Sequence, residues 1–224
     1  MNGKLIVIDG SDGSGKATQT EYLLKRFKKE KYKVDTLDFP RYGRKSAYFL
    51  EKYLNGKYGG VDDVNGRLSS LFFALDRYDA KFDAIKKMDQ GINIIANRYV
   101  SSNAGHQGGK ISDKVERDKF LDWLYDLEYN ICGLPKPDLN IYLHIPWKIG
   151  QKLVDKKGER EYIKGKKRDI HEADSEHLKN AQETYLYLIE KEPNWVRIDC
   201  IENDILMSRE EIHDKVWEVV QAKI

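Results

Sequence analysis

A short apolar run followed at once by a glycine-rich turn constrains this chain more than any other feature. Residues 5–8 read as a buried strand, and GSDGSGKAT follows at residues 10–18. Gly10, Gly15 and Lys16 have the G-x-x-x-x-G-K spacing of a phosphate-binding loop, or P-loop, and a helix is predicted directly after it. Backbone N–H groups, the helix N-terminus and the lysine together attract phosphate. We therefore expect the chain to bind a nucleotide.

Short apolar runs alternate with longer amphipathic stretches along the rest of the chain. Strands are predicted at 5–8, 34–39, 92–97, 138–145 and 194–199. Helices are predicted at 15–31, 46–54, 66–89, 113–130, 174–191 and 209–222. Unbroken apolar strands separated by helices are typical of a parallel sheet covered on both faces. We predict one three-layer α/β P-loop domain over residues 1–224.

The composition excludes several classes of protein. A net charge of +2 is too small for a typical nucleic-acid binder. No apolar run approaches the ~18 residues of a membrane span, and the N-terminus does not read as a signal peptide. Cys132 and Cys200 lack metal-site spacing, so we expect reduced thiols in a cytoplasmic protein. A single disulfide between the two cysteines is the alternative.

One basic segment stands apart from the rest. Residues 156–168, KKGEREYIKGKKR, carry seven Lys or Arg against two Glu. Two interpretations remain open, a solvated loop and a mobile lid, over about 155–172, that covers phosphate. The chain lacks the [NT]-K-x-D motif of guanine-reading switch proteins, which favours phosphoryl transfer between a triphosphate and a second small phosphate compound.

Several motifs in order resemble the thymidylate kinase (dTMP kinase) family. They are GSDGSGKAT at 10, DFPRYG at 38, LFFALDRYDAK at 71, NRYVSSNA at 97, GLPKPD at 133 and KKRDIHEAD at 166. The pattern is closer to the bacterial branch, since the eukaryotic branch has an arginine in its P-loop where Gly13 stands here. The resemblance implies transfer of the γ-phosphoryl group of ATP to dTMP, with Mg²⁺ as cofactor, and a homodimer.

The resemblance also implies residue roles. The P-loop positions that would hold ATP are Gly10, Ser11, Asp12, Gly13, Ser14, Gly15, Lys16, Ala17 and Thr18. The residues implied in catalysis are Lys16, Arg98 and the lid arginines Arg160 and Arg168, between which the sequence does not choose. Lys16 would bind the β and γ phosphates. Arg98 ends the third strand and would grip the acceptor phosphate.

The implied dTMP site combines several segments. Its residues are Asp12, Phe39, Pro40, Tyr42, Phe73, Arg77, Arg98, Ser102, Asn103 and His106. Phe73 would stack on thymine, and Arg77, one helical turn later on the same face, would bond a base carbonyl. Asn103 would pair with the thymine edge, and Asp12 would lie beside the sugar.

Four positions depart from the family pattern: Ala17, Asn97, Asp9 and His106. Ala17 lacks the hydroxyl that holds Mg²⁺ in a P-loop, and Asn97 replaces an aspartate. We expect Asp12 and Glu172 to carry the metal instead, with Asp9 as a further candidate, because Mg²⁺ needs only one or two carboxylates besides phosphates and waters. Two alternatives stay open, a kinase for another deoxynucleoside monophosphate such as dUMP and a non-catalytic nucleotide-binding protein.

Overall fold

The computed structural model describes residues 2–155 and 169–224. Its strands are β1 (Leu5–Gly10), β2 (Val34–Asp38), β3 (Asn93–Asn97), β4 (Leu139–His144), β5 (Trp195–Asp199), β6 (Ile201–Glu202) and β7 (Ile205–Leu206). Its α-helices are α1 (Lys16–Lys29), α2 (Tyr48–Leu54), α3 (Gly66–Asp89), α4 (Val100–Gly108), α5 (Lys114–Tyr125), α6 (Trp147–Asp155), α7 (Ile170–Ala173), α8 (Ser175–Lys191) and α9 (Arg209–Gln221).

The first five strands form one sheet in the order β2-β3-β1-β4-β5, and every pairing in it is parallel. β1 lies at the centre, where Ile8 pairs with Asn97 of β3 and Gly10 with Leu143 of β4. The carboxyl ends of β1, β2 and β3 therefore meet at one edge. In open α/β sheets ligands bind beyond such an edge.

Alternate residues of the central strand fill two separate cores. Leu5 and Val7 join a cluster with side chains of α4, α5 and α8 on one face. Ile6 and Ile8 join a second cluster with α1 and α9 on the other face. Both faces of the sheet are thus covered, which explains why the central strand β1 is buried at every position and confirms the predicted three-layer α/β fold.

Several elements differ from their prediction. The predicted helix at 113–130 ends as an α-helix at Tyr125 and continues as a π-helical turn, Asp126–Ile131. The helices α4, α6 and α7 and the β6–β7 hairpin were not predicted. α4 reads VSSNAGHQG, in which small and polar residues give no amphipathic period, so sequence periodicity does not reveal it.

The lid arginines Arg160 and Arg168 lie outside the described residues. Within the described part of the chain, no helix is long and apolar enough to cross a membrane. Cys132 and Cys200 are both free thiols, as expected.

Candidate active site

A cavity of about 400 Å³ opens at the carboxyl ends of β1, β2 and β3. It brings together residues predicted from the whole length of the chain. The predicted residues that line it are Asp12, Gly13, Gly15, Lys16, Ala17, Phe39, Pro40, Tyr42, Phe73, Arg77, Arg98, Ser102, Asn103, His106 and Glu172. The remaining P-loop positions, Gly10, Ser11, Ser14 and Thr18, do not line it. One cavity therefore joins the phosphate loop to the whole predicted dTMP site.

The P-loop has the backbone conformation that its glycines allow. Gly13 and Gly15 have φ angles of 84° and 89°, in the left-handed region that other residues rarely adopt. α1 begins at Lys16 without a side-chain cap, so its first N–H groups remain available to an anion. The Lys16 ammonium donates to the carbonyls of Gly10 and Ser11, at 3.0 and 2.9 Å. The lysine is thus folded over the loop whose phosphate it would bind.

The P-loop also packs tightly against α6. A Cβ at Gly13 would lie 2.3 Å from the Gly150 carbonyl oxygen, and one at Gly150 would lie 2.3 Å from the Asp12 carbonyl oxygen. Two glycines therefore let the loop and the helix touch through their backbones. A side chain at position 13 would not fit this arrangement.

Arg98 is the central cation of the cavity. Its φ of 64° is unusual for a residue with a side chain, and such strain of about 1–3 kcal/mol persists where the surrounding structure enforces it. The guanidinium pairs with the Asp12 carboxylate and lies 3.4 Å from Ser102 Oγ and 3.3 Å from His106 Nε2. The charges of Arg98 and Lys16 outweigh burial and hold the pKa of Asp12 well below its usual range. Arg98 thus places a positive charge in the wall of the cavity, where it is partnered by Asp12.

The Asp9 carboxylate connects the central strand to two helices. Its buried carboxylate accepts hydrogen bonds from Ser101 Oγ (2.6 Å), Ser102 Oγ (2.8 Å) and Tyr185 Oη (3.1 Å). These bonds join β1 to the start of α4 and to α8. With its oxygens so occupied, Asp9 positions the cavity wall.

Two predicted residues at the far end of the cavity donate hydrogen bonds to the same buried carboxylate. This carboxylate was not predicted from the sequence. Glu128, in the π-helical turn, accepts from Arg77 Nε at 2.7 Å, from Arg77 Nη2 and from Asn103 Nδ2 at 3.0 Å. Asn103 Nδ2 also donates to the Ser70 carbonyl at 3.1 Å. Both amide hydrogens of Asn103 are thereby used, which leaves its Oδ1 as the acceptor. A single Glu in a helical pattern gives no sequence signal of this role.

Among the described residues, four carboxylates line the cavity, and one of them is Asp38 at the end of β2. Asp12 comes from the P-loop, whereas Asp169 and Glu172 form the capping box of α7. Burial, together with the charges of Glu172 and Asp12, raises the pKa of Asp169 to about 7. Asp169 was not predicted as a site residue, although it stands in the RDIHE motif.

Asn97 lines the same cavity at the end of β3. Its Nδ2 donates to Asp38 Oδ1 at 2.8 Å. Its Oδ1 is buried and accepts no hydrogen bond from the described part of the chain. The position therefore offers one unused oxygen acceptor, which makes it a fit for a hydrated cation.

The chain matches the family model described as Thymidylate kinase over residues 8–215. The chain belongs to the thymidylate kinase family. A thymidylate kinase from Mycobacterium tuberculosis strain H37Rv is 33% identical over 174 residues, covering 77% of this chain and 79% of the relative. A probable thymidylate kinase from Thermococcus gammatolerans is 29% identical over 99% of this chain and 98% of the relative.

A thymidylate kinase structure from Candida albicans has the same fold. Its TM-score is 0.74 at 20% identity, with 99% of this chain and 92% of that chain covered. Thymidylate kinase relatives of this chain thus come from a bacterium, an archaeon and, for the fold, a fungus. The predicted family, fold and kinase activity are confirmed, whereas the roles of individual residues and the bacterial branch stay predictions.

Proposed function

We propose that this member of the thymidylate kinase family transfers the γ-phosphoryl group of ATP to dTMP, giving dTDP and ADP, through the residues of the single cavity. The observation that carries the proposal is that the P-loop, Arg98 and the Arg77–Asn103 pair line one continuous space. Phosphoryl transfer depends on placing two anionic phosphates in line and offsetting their repulsion. Lys16 supplies charge at the donor end and Arg98 at the acceptor end.

The base end of the cavity fits a pyrimidine that presents an N3–H donor next to a carbonyl acceptor. Asn103 Oδ1 can accept the N3–H of thymine, and a free N–H of the Arg77 guanidinium can donate to a base carbonyl. Cytosine presents an acceptor at N3 and a donor at N4, so it leaves these groups unpaired, at a cost of about 1–3 kcal/mol for each buried group. Thymine and uracil fit this pattern, and the partly buried Phe73 offers a face for stacking.

The donor set fits Mg²⁺. Asp12 and Glu172 would hold the ion together with phosphates and waters, with Asp169 and the unused Oδ1 of Asn97 nearby. The ion supplies positive charge that stabilises the transferring phosphoryl group. Ala17 contributes no ligand, so carboxylates carry this role. We assign closure over the phosphates to a lid arginine, Arg160 or Arg168.

An apolar seam on α3 supports the homodimer. Leu68, Leu71, Leu75, Tyr78 and Phe82 are 44%, 37%, 51%, 41% and 59% exposed. Their spacing of three, four, three and four residues places them along one side of α3, as in helices that pair with another helix. We therefore assign this α3 seam to contact with a second copy of the chain.

One experiment tests the reaction and its metal. ADP release from ATP is measured with dTMP, dUMP, dCMP and dGMP over a range of Mg²⁺ concentrations. We expect dTMP to be the best acceptor and Asp12→Asn to reduce turnover at least about tenfold, whereas Ala17→Ser changes it less than about twofold. A better acceptor than dTMP would refute the specificity, and ATP binding without transfer would favour a non-catalytic protein. A large gain in Ala17→Ser would show that the metal site is impaired.

A further inference from the structure

Three buried histidines from three helices meet beside the cavity. His106 lies on α4, His171 on α7 and His177 on α8, and they are 6%, 6% and 4% exposed. Their ring centroids lie 4.4–5.5 Å apart. One ligating nitrogen from each lies within 4.8 Å of the others. We propose that these three residues, the histidine cluster, bind a transition-metal ion of the zinc class.

The spacing of the nitrogens is close to what such an ion requires. Zinc binds imidazole nitrogens at about 2.0–2.1 Å, so tetrahedral geometry separates two of them by about 3.4 Å. His106 Nδ1 and His177 Nε2 are 3.3 Å apart, which matches this separation. The three ligating nitrogens lie within 4.8 Å of one another, so no pair has to approach by more than about 1.4 Å. Small rotations of the rings supply such a movement.

The partners of the histidines leave suitable nitrogens for a metal. His171 Nε2 lies 2.8 Å from Tyr53 Oη, which directs Nδ1 to the ion and gives the ring the outer partner that metal-bound histidines usually have. His106 Nε2 lies 3.3 Å from Arg98 Nη1. Once Nδ1 binds metal, Nε2 carries the proton and no longer accepts from Arg98. Arg98 retains Asp12 and Ser102 as partners, but two N–H donors then face each other, which lowers the affinity of the site.

The charges around the cluster set its affinity. Burial lowers the pKa of all three imidazoles, which keeps them neutral, the form that binds metals. The cations Arg98, Lys16 and Lys110 oppose a divalent ion, whereas the carboxylates of Asp12 and Asp174 attract it. The site is therefore weaker than a zinc site free of cations. Three histidines leave one coordination position, and since His106 and His171 line the cavity, that position faces it.

Cobalt binding tests the proposal, because Co²⁺ replaces Zn²⁺ and gives visible absorption bands in a tetrahedral site. The full chain, freed of any affinity tag and of metal by chelator and dialysis, is titrated with CoCl₂ in excess Mg²⁺. We expect bands that saturate at about one Co²⁺ per chain and disappear when Zn²⁺ is added. The Mg²⁺ occupies the carboxylates, which it prefers, and leaves the imidazoles to Co²⁺.

Histidine variants test whether the bound Co²⁺ is held by the histidine cluster or by other side chains. His177→Gln should abolish the bands, because His177 does not line the cavity and its loss removes one of three ligands. His213→Gln, on α9 and outside the cluster, should retain them. Circular dichroism and thermal unfolding establish that each variant is folded, and His171→Gln replaces His177→Gln if the latter is not. Absence of saturable bands in the wild type, or unchanged bands in the folded cluster variant, would overturn the proposal.

Discussion

At the scale of single residues, Glu128 determines how the base end of the cavity is built. It is fully buried and accepts hydrogen bonds from both Arg77 and Asn103, the two residues proposed to read the base. It fixes which atoms of these side chains remain for a ligand. The specificity of the site thus depends on a residue that need not touch the substrate.

Replacing Glu128 tests this dependence. Glu128→Gln places an amide against the Arg77 guanidinium and leaves its buried charge unpaired, which costs about 3–5 kcal/mol of unfolding free energy. We expect the KM for dTMP to rise at least about tenfold, with a much smaller change in the KM for ATP, because Arg77 and Asn103 lose their orientation towards the base.

The measurements are urea unfolding and steady-state kinetics, with Glu218→Gln as the control on an exposed face of α9. A folded Glu128→Gln with an unchanged KM for dTMP would mean that Glu128 contributes stability alone.

At the scale of elements, close packing of α4 on α8 positions one wall of the cavity. A Cβ at Gly105 would lie 2.3 Å from the ring of Tyr185, and one at Gly109 would lie 2.8 Å from the backbone nitrogen of Ala181. Tyr185 in turn donates to Asp9 at the end of β1. The small residues of α4 therefore bring Asn103 and the other wall residues of α4 up to the sheet edge.

Adding a methyl group at this contact should lower the stability of the folded protein. Gly105→Ala forces the Tyr185 ring to move, and overpacking of this kind costs about 1–3 kcal/mol. The gain in helix propensity, about 1 kcal/mol, offsets only part of it. We expect a lower urea midpoint than for Gly60→Ala, whose added Cβ would meet its nearest atom at 3.6 Å. Equal midpoints for the two variants would contradict the tight α4–α8 contact.

At the scale of the whole molecule, the α3 seam is the surface on which the proposed dimer depends. Leu75 lies at its centre and is 51% exposed. Leu75→Glu introduces a charge that is costly to bury against a second copy. We expect the wild type to sediment as a dimer at micromolar concentration and Leu75→Glu as a monomer.

Val115→Glu is the control for this test, because Val115 is 62% exposed on α5 and does not belong to the α3 seam. It should remain dimeric in sedimentation experiments. A monomeric wild type, or a dimer that tolerates Leu75→Glu, would exclude the α3 seam as the interface.

Local pattern determined much of this protein. The strand–glycine turn–helix order at residues 5–18 specifies a P-loop, because the chemistry of phosphate binding lies in consecutive backbone groups. The apolar strands indicated a covered parallel sheet, and α3 was predicted at its observed bounds, 66–89. The motifs around Arg98, Phe73 and Asn103 also pointed to residues that the structure brings into one cavity.

Tertiary structure decided the rest. Glu128, Asp169 and the histidine cluster depend on contacts between segments far apart in the chain, as between Arg77 and Glu128 or His106 and His177. Single residues in such contacts leave no periodic signal, since each alone resembles an ordinary surface side chain. α4 was missed for the same reason: its small residues are explained by the Tyr185 ring against which it packs. The sequence determined the phosphate loop and the sheet, whereas burial and distance between remote segments determined which side chains face the ligand.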